Sequence, residues 1–262
     1  MSLAGAFAAA VSAARLRYFT QIDHRVATGS TNEDAQKVLG DPASAGRVIV
    51  ADEQTAGRGR RGRQWIAPPR SGLLFTAVLP QPIRAGDAWA VTFWTGICVA
   101  KALQRWNVTP QLQWPNDLLV DGRKMCGILC VSRIVGERAS IACGVGLNVH
   151  RPENRPDLDA IVPPPIFLDD CAAAGENARA ELLAAILSEF EAALDALHDP
   201  SRIVREWESL GKIPGTRYRL AFDDGAQLEG EALRLSPSGG LVIRTDSGEQ
   251  TIDLAAEVRA LR

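Results

Sequence analysis

A chain of 262 residues, 46% of them hydrophobic, is long enough to bury one large core and leave a smaller domain beside it. Its net charge of -2 and pI near 6.0 argue against a sequence-independent nucleic-acid binder, whose surface is basic throughout. No uninterrupted apolar run reaches the ~18 residues of a membrane-spanning helix, so neither DNA nor a membrane is an expected partner.

Five cysteines (Cys98, Cys126, Cys130, Cys143, Cys171) sit in apolar segments. An odd number placed in that way fits small hydrophobes in a reducing, cytoplasmic setting better than a disulfide framework. Cys126 and Cys130 lack a second pair, and His24, His150 and His198 are scattered, so a zinc site is not expected. Lysine is scarce, with Lys37, Lys101, Lys124 and Lys212 against 25 arginines, which makes a lysine inside a motif informative.

Met1 to Phe19 is rich in alanine and has no basic residue ahead of its apolar part. A short helix is expected there and a secretory signal is not. Thr28-Gly29-Ser30-Thr31-Asn32 reads as a turn in which Ser30 and Thr31 cap a helix over Glu33 to Leu39, which ends at Gly40-Asp41-Pro42. Arg47 to Ala51 is a buried strand. It runs directly into a stretch that places Arg58, Arg60, Arg61 and Arg63 among Gly57, Gly59 and Gly62.

For a charge run the ordinary reading is a solvated face. Glycine at every second or third position favours an anion-binding loop instead, because glycine lets backbone approach a ligand while arginine supplies forked donors. The glycines spell G-x-G-x-x-G, yet Gly62 is followed by Arg63-Gln64-Trp65-Ile66-Ala67-Pro68-Pro69. The prolines stop the helix that a dinucleotide site requires, and no acidic residue follows at the ribose position. A Walker loop fails for want of Gly-Lys-Ser/Thr.

Gly72 to Leu79 is the next strand, and Asp87 to Trp106 the long core helix, with Trp89, Phe93, Ile97, Ala100 and Leu103 along one side. Gln111 to Val120 carries Pro115, Asn116 and Asp117 between apolar runs, and Asp121-Gly122-Arg123-Lys124 turns into a strand from Met125 to Val131. Ala139 to Val149 is a strand whose Gly144 and Gly146 leave room for a ligand against the backbone. An amphipathic helix over Ala178 to Leu197 and a second over Ser201 to Leu210 precede a tail of short strands with turns at 223–225, 236–240 and 246–248.

Taken together, GSTN at 29–32, EQTAGRGRRGRQW at 53–65, QWPNDLLVDGRKMCGIL at 113–129 and GVGLNV at 144–149 resemble the biotin protein ligases in order and spacing, over about residues 15–262. The resemblance implies an α+β fold: a catalytic domain like those of class II aminoacyl-tRNA synthetases and biotin ligases over 15–212, a small SH3-like barrel over 213–262, and an N-terminal extension over 1–14. It implies an ATP- and magnesium-dependent enzyme that forms biotinyl-5'-AMP and passes biotin to a lysine of a biotin carboxyl carrier domain. Magnesium would arrive with ATP rather than on a protein-built site.

By the same resemblance, Ser30, Thr31, Gln54, Gly57, Arg58, Lys124, Gly127, Gly144 and Gly146 surround biotin. Arg60, Arg61, Arg63, Trp65, Asn116 and Asn148 hold the nucleotide, with Trp65 stacked on adenine. Arg60, Lys124 and Asp117 stand at the reacting centre.

Gln113 stands where these ligases usually carry lysine, which implies slowed rather than abolished adenylation. Gly29, Cys130-Val131-Ser132 and Ala255-Ala256-Glu257-Val258 also depart from the family pattern. A repressor-type ligase needs a helix-turn-helix domain, and 28 residues precede Gly29, so a ligase without DNA binding is expected. A divergent or weakly active biotin-binding relative, a lipoate ligase and a non-catalytic biotin sensor are the alternatives, and the sequence leaves monomer and homodimer open.

Overall fold

The computed structural model describes residues 3–153, 155, 157–158, 161–253, 255 and 257–261; Met1, Ser2, Ala256 and Arg262 of the segments named above lie outside them. Eight strands form the larger sheet: β1 (Gln21–Arg25), β2 (Arg47–Ala51), β3 (Gly72–Val78), β4 (Ile83–Arg84), β5 (Gln111–Gln113), β6 (Asp117–Val120), β7 (Arg123–Val135) and β8 (Arg138–Asn148). They lie in the order β1-β2-β3-β8-β7-β6-β5, with β4 also paired to β8. β1 and β2 run parallel, joined through helix α2 (Thr31–Val38), because a parallel pair needs a crossover. The remaining neighbours are antiparallel.

Strand alternation gives the sheet two different faces. Val48, Val50, Leu73, Phe75, Val145 and Leu147 point into one continuous core. That core is shared with helices α1 (Leu3–Ala13), α3 (Ala90–Leu103), α4 (Ala178–Ala192) and α5 (Pro200–Gly211). Ile49, Val78 and Ala142 point the other way and pack with Ala35 and Leu39 at α2. Further along this second face the positions in register are Gly144, Gly146 and Gly127, so the sheet there is bare backbone.

The central helix is shorter than its pattern predicts, because its ends tighten into 3-10 turns at Ala85–Asp87 and Gln104–Trp106. It is also apolar all round: 12 of the 14 residues of α3 are buried, since α4 and α5 cover the side away from the sheet. Gly96 is required at one crossing, where an added Cβ would lie 2.7 Å from the Trp207 ring that stacks on Phe93 at 4.3 Å. The helix predicted from Ala178 to Leu197 stops at Ala192 and continues as a 3-10 turn over Leu194–His198. It is enclosed between α1 and α3 rather than amphipathic. α5 starts on the Asp199 side chain, which accepts from the Arg202 N–H, with Pro200 in the first turn.

The tail forms β9 (Arg217–Ala221), β10 (Gln227–Leu235), β11 (Leu241–Thr245), β12 (Gly248–Ile252) and β13 (Glu257–Leu261), ordered β12-β11-β10-β9-β13. β12 and β13 share no ladder among the described residues, so the sheet is open there. Tyr218, Leu220, Leu241 and Ile243 join the main core, and Trp114 Nε1 donates to Gly239 O across the junction at 2.9 Å. Three cysteines are buried and Cys130 half-buried as expected, but Cys171 is exposed. No helix among the described residues is long and apolar enough to cross a membrane.

Candidate active site

The parallel pairing of β1 and β2 continues beyond the strands as a bridge between Thr28 and Gln54. Bonds from Thr28 N to Glu53 O (3.1 Å), Thr55 N to Thr28 O (2.9 Å) and Ala56 N to Gly29 O (2.9 Å) hold the two segments together. Gln54 is thereby set beside the first turn of α2, where Thr31 N and Thr31 Oγ1 both donate to Gln54 Oε1 at 2.8 and 3.0 Å. This corrects the expected cap: the Ser30 side chain makes no capping bond, and Gln54 supplies the acceptor from another segment. Two residues to which the sequence reading gave no site role complete the network. Thr76 Oγ1 lies 2.8 Å from Thr31 Oγ1 and 2.7 Å from Asn32 Oδ1, and Asn32 Nδ2 donates to Leu129 O at 2.9 Å.

Gly127 and Gly146 face each other across β7 and β8, and Gly144 pairs with Leu129. The structure fills the space above them with the protein's own side chains. A Cβ on Gly146 would lie 2.6 Å from the Trp65 indole, one on Gly127 2.9 Å from it, and one on Gly144 2.2 Å from Asn32 Oδ1. The Trp65 indole thus lies on the glycine floor with its Nε1 buried and without a hydrogen-bond partner.

The arginine loop closes on itself as a small hairpin, with Gly59 N donating to Arg63 O (2.7 Å) and Trp65 N to Gly57 O (3.0 Å). Gly57 serves that closure, because its Cβ would meet Trp65 O at 2.5 Å. Arg61 at the tip is left-handed, with φ of 56°. The arginines then diverge. Arg58 pairs outward with Glu33 of α2, while Arg61 reaches Asp223 and Arg63 lies 3.9 Å from Glu257, both in the tail. Arg60 turns inward and donates to Asn116 Oδ1 at 3.3 Å. Burial lowers the Arg60 pKa, with Asp117 opposing and Arg61 and Arg63 adding to the effect, yet a guanidinium stays charged under such pressure.

Opposite the loop, Lys124 Nζ and Asp117 Oδ2 form an ion pair at 2.7 Å, and Lys124 Nζ lies 5.6 Å from the centre of the Trp65 ring. The Lys124 backbone is held on both sides: its N–H donates to Pro164 O, and its carbonyl accepts from Ile166 N and Asn148 Nδ2. Asn116 Nδ2 donates to Ile128 O at 2.8 Å. Both asparagines therefore spend their amide groups on the scaffold. Gln113, 6% exposed, donates to Val258 O of β13 at 3.1 Å, which brings the tail to the cleft wall.

All of the residues singled out by sequence except Gly57 and Asn148 line one cleft of about 960 Å³, counting its open mouth. Its lining includes five basic residues (Arg58, Arg60, Arg61, Arg63, Lys124) and, among the described residues, one carboxylate, Asp117, although the Arg58, Arg61 and Arg63 guanidinium groups pair with Glu33, Asp223 and Glu257 at its rim. Such an excess of positive charge in a half-enclosed site favours a polyanion. A second, more apolar groove runs beside Trp65, lined by Ile66, Ile161, Val162, Pro163 and Phe167, with Lys124 and Asn148 among its walls. The apolar and proline run from Ile161 to Phe167 was the available signal for it in the sequence. Among the described residues no group of three or more His, Cys, Asp or Glu side chains is arranged to hold a metal ion.

Comparison with known proteins is consistent across methods. The model of the biotin/lipoate A/B protein ligase family matches residues 26–148. The bifunctional ligase/repressor BirA of Bacillus subtilis is 30% identical over 234 residues, 85% of this chain and 69% of its own length. A biotin–acetyl-CoA-carboxylase ligase of Paracoccus denitrificans is 31% identical over 245 residues, 88% of this chain and 97% of its own. The Aquifex aeolicus biotin protein ligase in complex with biotin and ATP superposes with a TM-score of 0.71 at 23% identity, covering 93% of this chain and all of the other, which establishes the likeness of fold.

Proposed function

Because this chain belongs to the biotin/lipoate A/B protein ligase family, we propose that it is an ATP-dependent ligase that joins biotin to a lysine of a biotin carboxyl carrier protein of acetyl-CoA carboxylase or a related carboxylase. The observation that carries this reading is the cleft itself, with the inward Arg60, the Lys124–Asp117 pair and the arginine-rich rim above a glycine floor. The biotin carboxylate attacks the α-phosphorus of ATP, a C–O–P link forms and pyrophosphate leaves. The lysine amine of the acceptor then attacks the activated carbonyl, giving the amide and releasing AMP. Two anions must approach in the first step, so positioned positive charge is the main requirement.

In this reading Ser30, Thr31 and Gln54 bind the ureido group, and Gly127, Gly144 and Gly146 form the floor, with Gly57 and Arg58 closing that end. Trp65 moves off the floor as ligand enters. Lys124, oriented by Asp117, meets the carboxylate and α-phosphate. Arg60, Arg61 and Arg63 take the phosphates, with Asn116 and Asn148 nearby, and the groove beside Trp65 suits the flat adenine. Asp117 is the only carboxylate lining the cleft among the described residues and is already paired to Lys124, which fits a magnesium ion carried chiefly by the triphosphate.

Residues 15–212 serve as the catalytic part, preceded by the extension over 1–14. The tail from 213 is read as SH3-like, a reading supported by a four-strand meander whose fifth strand returns to the first. The Paracoccus denitrificans relative, named as a ligase, matches over 97% of its own length, which supports ligase activity for this chain. The test is ATP–pyrophosphate exchange with biotin against lipoate, followed by a streptavidin blot of a carrier domain. Exchange with biotin alone is expected; exchange with lipoate alone, or none, overturns the assignment.

A further inference from the structure

Outside the cleft, a group of buried charges lies under the neck of the arginine loop. The chain leaves the large sheet at Asp52 and returns at Arg70, whose N–H donates to Asp52 O at 2.9 Å, while Asp52 N donates to Arg25 O of β1 at 3.0 Å. The Asp52 carboxylate, on a residue 3% exposed, is paired with Arg179 Nη2 at 2.9 Å and lies 3.2 Å from His24 Nε2. Arg179, in the first turn of α4 and also 3% exposed, donates to Ala51 O at 3.1 Å. Its Nε and Nη1 are buried with no hydrogen-bond partner. Phe7 of α1 covers the group, 5.4 Å from the guanidinium and 5.7 Å from the His24 ring. Burial pushes the Arg179 pKa down and Asp52 opposes it.

A buried ion pair with half of its donors unsatisfied is a poor source of stability, since apolar residues of similar volume usually do as well or better. What it supplies is a fixed geometry, and what it holds is both ends of one loop. The loop's outward contacts, Arg58–Glu33, Arg61–Asp223 and Arg63–Glu257, each involve at least one side chain more than half exposed, and exposed pairs of that kind contribute little. The neck is therefore the rigid anchorage.

We propose that Asp52, Arg179 and His24 form a clamp that sets the angle of the arginine loop over the cleft and act as positioning residues for the nucleotide. The clamp rests on the reading of that loop as the phosphate-binding element. It reaches from α4 and from β1, and α1 seals it, so residues far apart in sequence control one loop.

The test compares Arg179→Met, Arg179→Lys and the milder His24→Gln in the full chain. Two readouts are used: tryptic cleavage within residues 57–63 of the ligand-free protein, followed by mass spectrometry, and the KM for ATP against the KM for biotin. Arg179→Met is expected to speed loop cleavage and raise the KM for ATP by about tenfold, while the KM for biotin changes little. Its unfolding midpoint falls, because Asp52 is left buried without its guanidinium partner. The double variant Asp52→Asn/Arg179→Met, which removes both charges, is run beside it and should keep the effect on cleavage and on the KM for ATP with a smaller fall in midpoint. Arg179→Lys should recover part of both, and His24→Gln should show a smaller change of the same kind. A folded Arg179→Met protein with unaltered cleavage and unaltered KM for ATP overturns the clamp, as does a fall in unfolding midpoint with equal changes in both KM values. Failure of the unaltered chain to exchange pyrophosphate would overturn the functional reading instead, and the cleavage rates would still judge the clamp.

Discussion

Arg60 shows how one side chain can be decisive in a loop with four arginines. Its neighbours reach Glu33, Asp223 and Glu257, whereas Arg60 points inward to Asn116 and feels the Asp117 carboxylate. Losing one charged contact costs ~1.5–3 kcal/mol. Arg60→Gly should therefore release biotinyl-adenylate about ten- to hundredfold faster and label bystander lysines, read by streptavidin blot of an added inert protein. Retention as tight as in the unaltered chain would count against the assignment. Gln113 belongs at this scale as well. The departure from the family lysine is visible in the sequence, but its consequence is not: the neutral amide is satisfied by Val258 O from the tail, and Arg60 and Lys124 still stand at the cleft.

Among the elements, β7 and β8 carry three glycines that look alike in sequence and differ in what they meet. The Cβ of an alanine at 144 would meet the backbone carbonyl of Leu129 at 2.6 Å as well as Asn32, whereas the three atoms nearest to one at 146 all belong to the Trp65 ring. A strand carbonyl cannot withdraw, so Gly144→Ala should destabilise the fold by about 1–3 kcal/mol, measured by denaturant unfolding. Gly146→Ala should leave stability nearly unchanged and weaken biotin binding in calorimetry, because the new methyl intrudes on the floor. Equal losses of stability in both variants would refute the distinction. The glycines themselves were legible as close-approach positions, but no local pattern signals that Asn32 and Trp65 occupy the space.

At the scale of the molecule, one apolar core runs from Phe7 and Val11 of α1 through α3 and α4 to Leu220, Leu241 and Ile243 of the tail. Trp114 ties the two parts by its bond to Gly239 O, and Leu235 N donates to Glu208 of α5. A core shared in this way predicts a single cooperative transition: unfolding followed by tryptophan fluorescence and by far-ultraviolet circular dichroism should coincide. Two separated transitions would mean that the tail folds independently.

The sequence by itself determined the family, the strands β2, β3, β6, β7 and β8, the tail turns and 14 of the 25 residues that line the cleft. Each of these is written in local pattern: apolar runs, glycine spacing and turn chemistry. Tertiary structure decided what depends on residues distant in sequence. Gln54 rather than Ser30 caps α2, α3 and α4 are buried on every side, and Trp65 lies on the glycine floor. His24, Asp52 and Arg179 meet beneath the loop. A polar residue in one segment carries no local sign of the partner that will satisfy it, because that partner is chosen by the packing of the whole core.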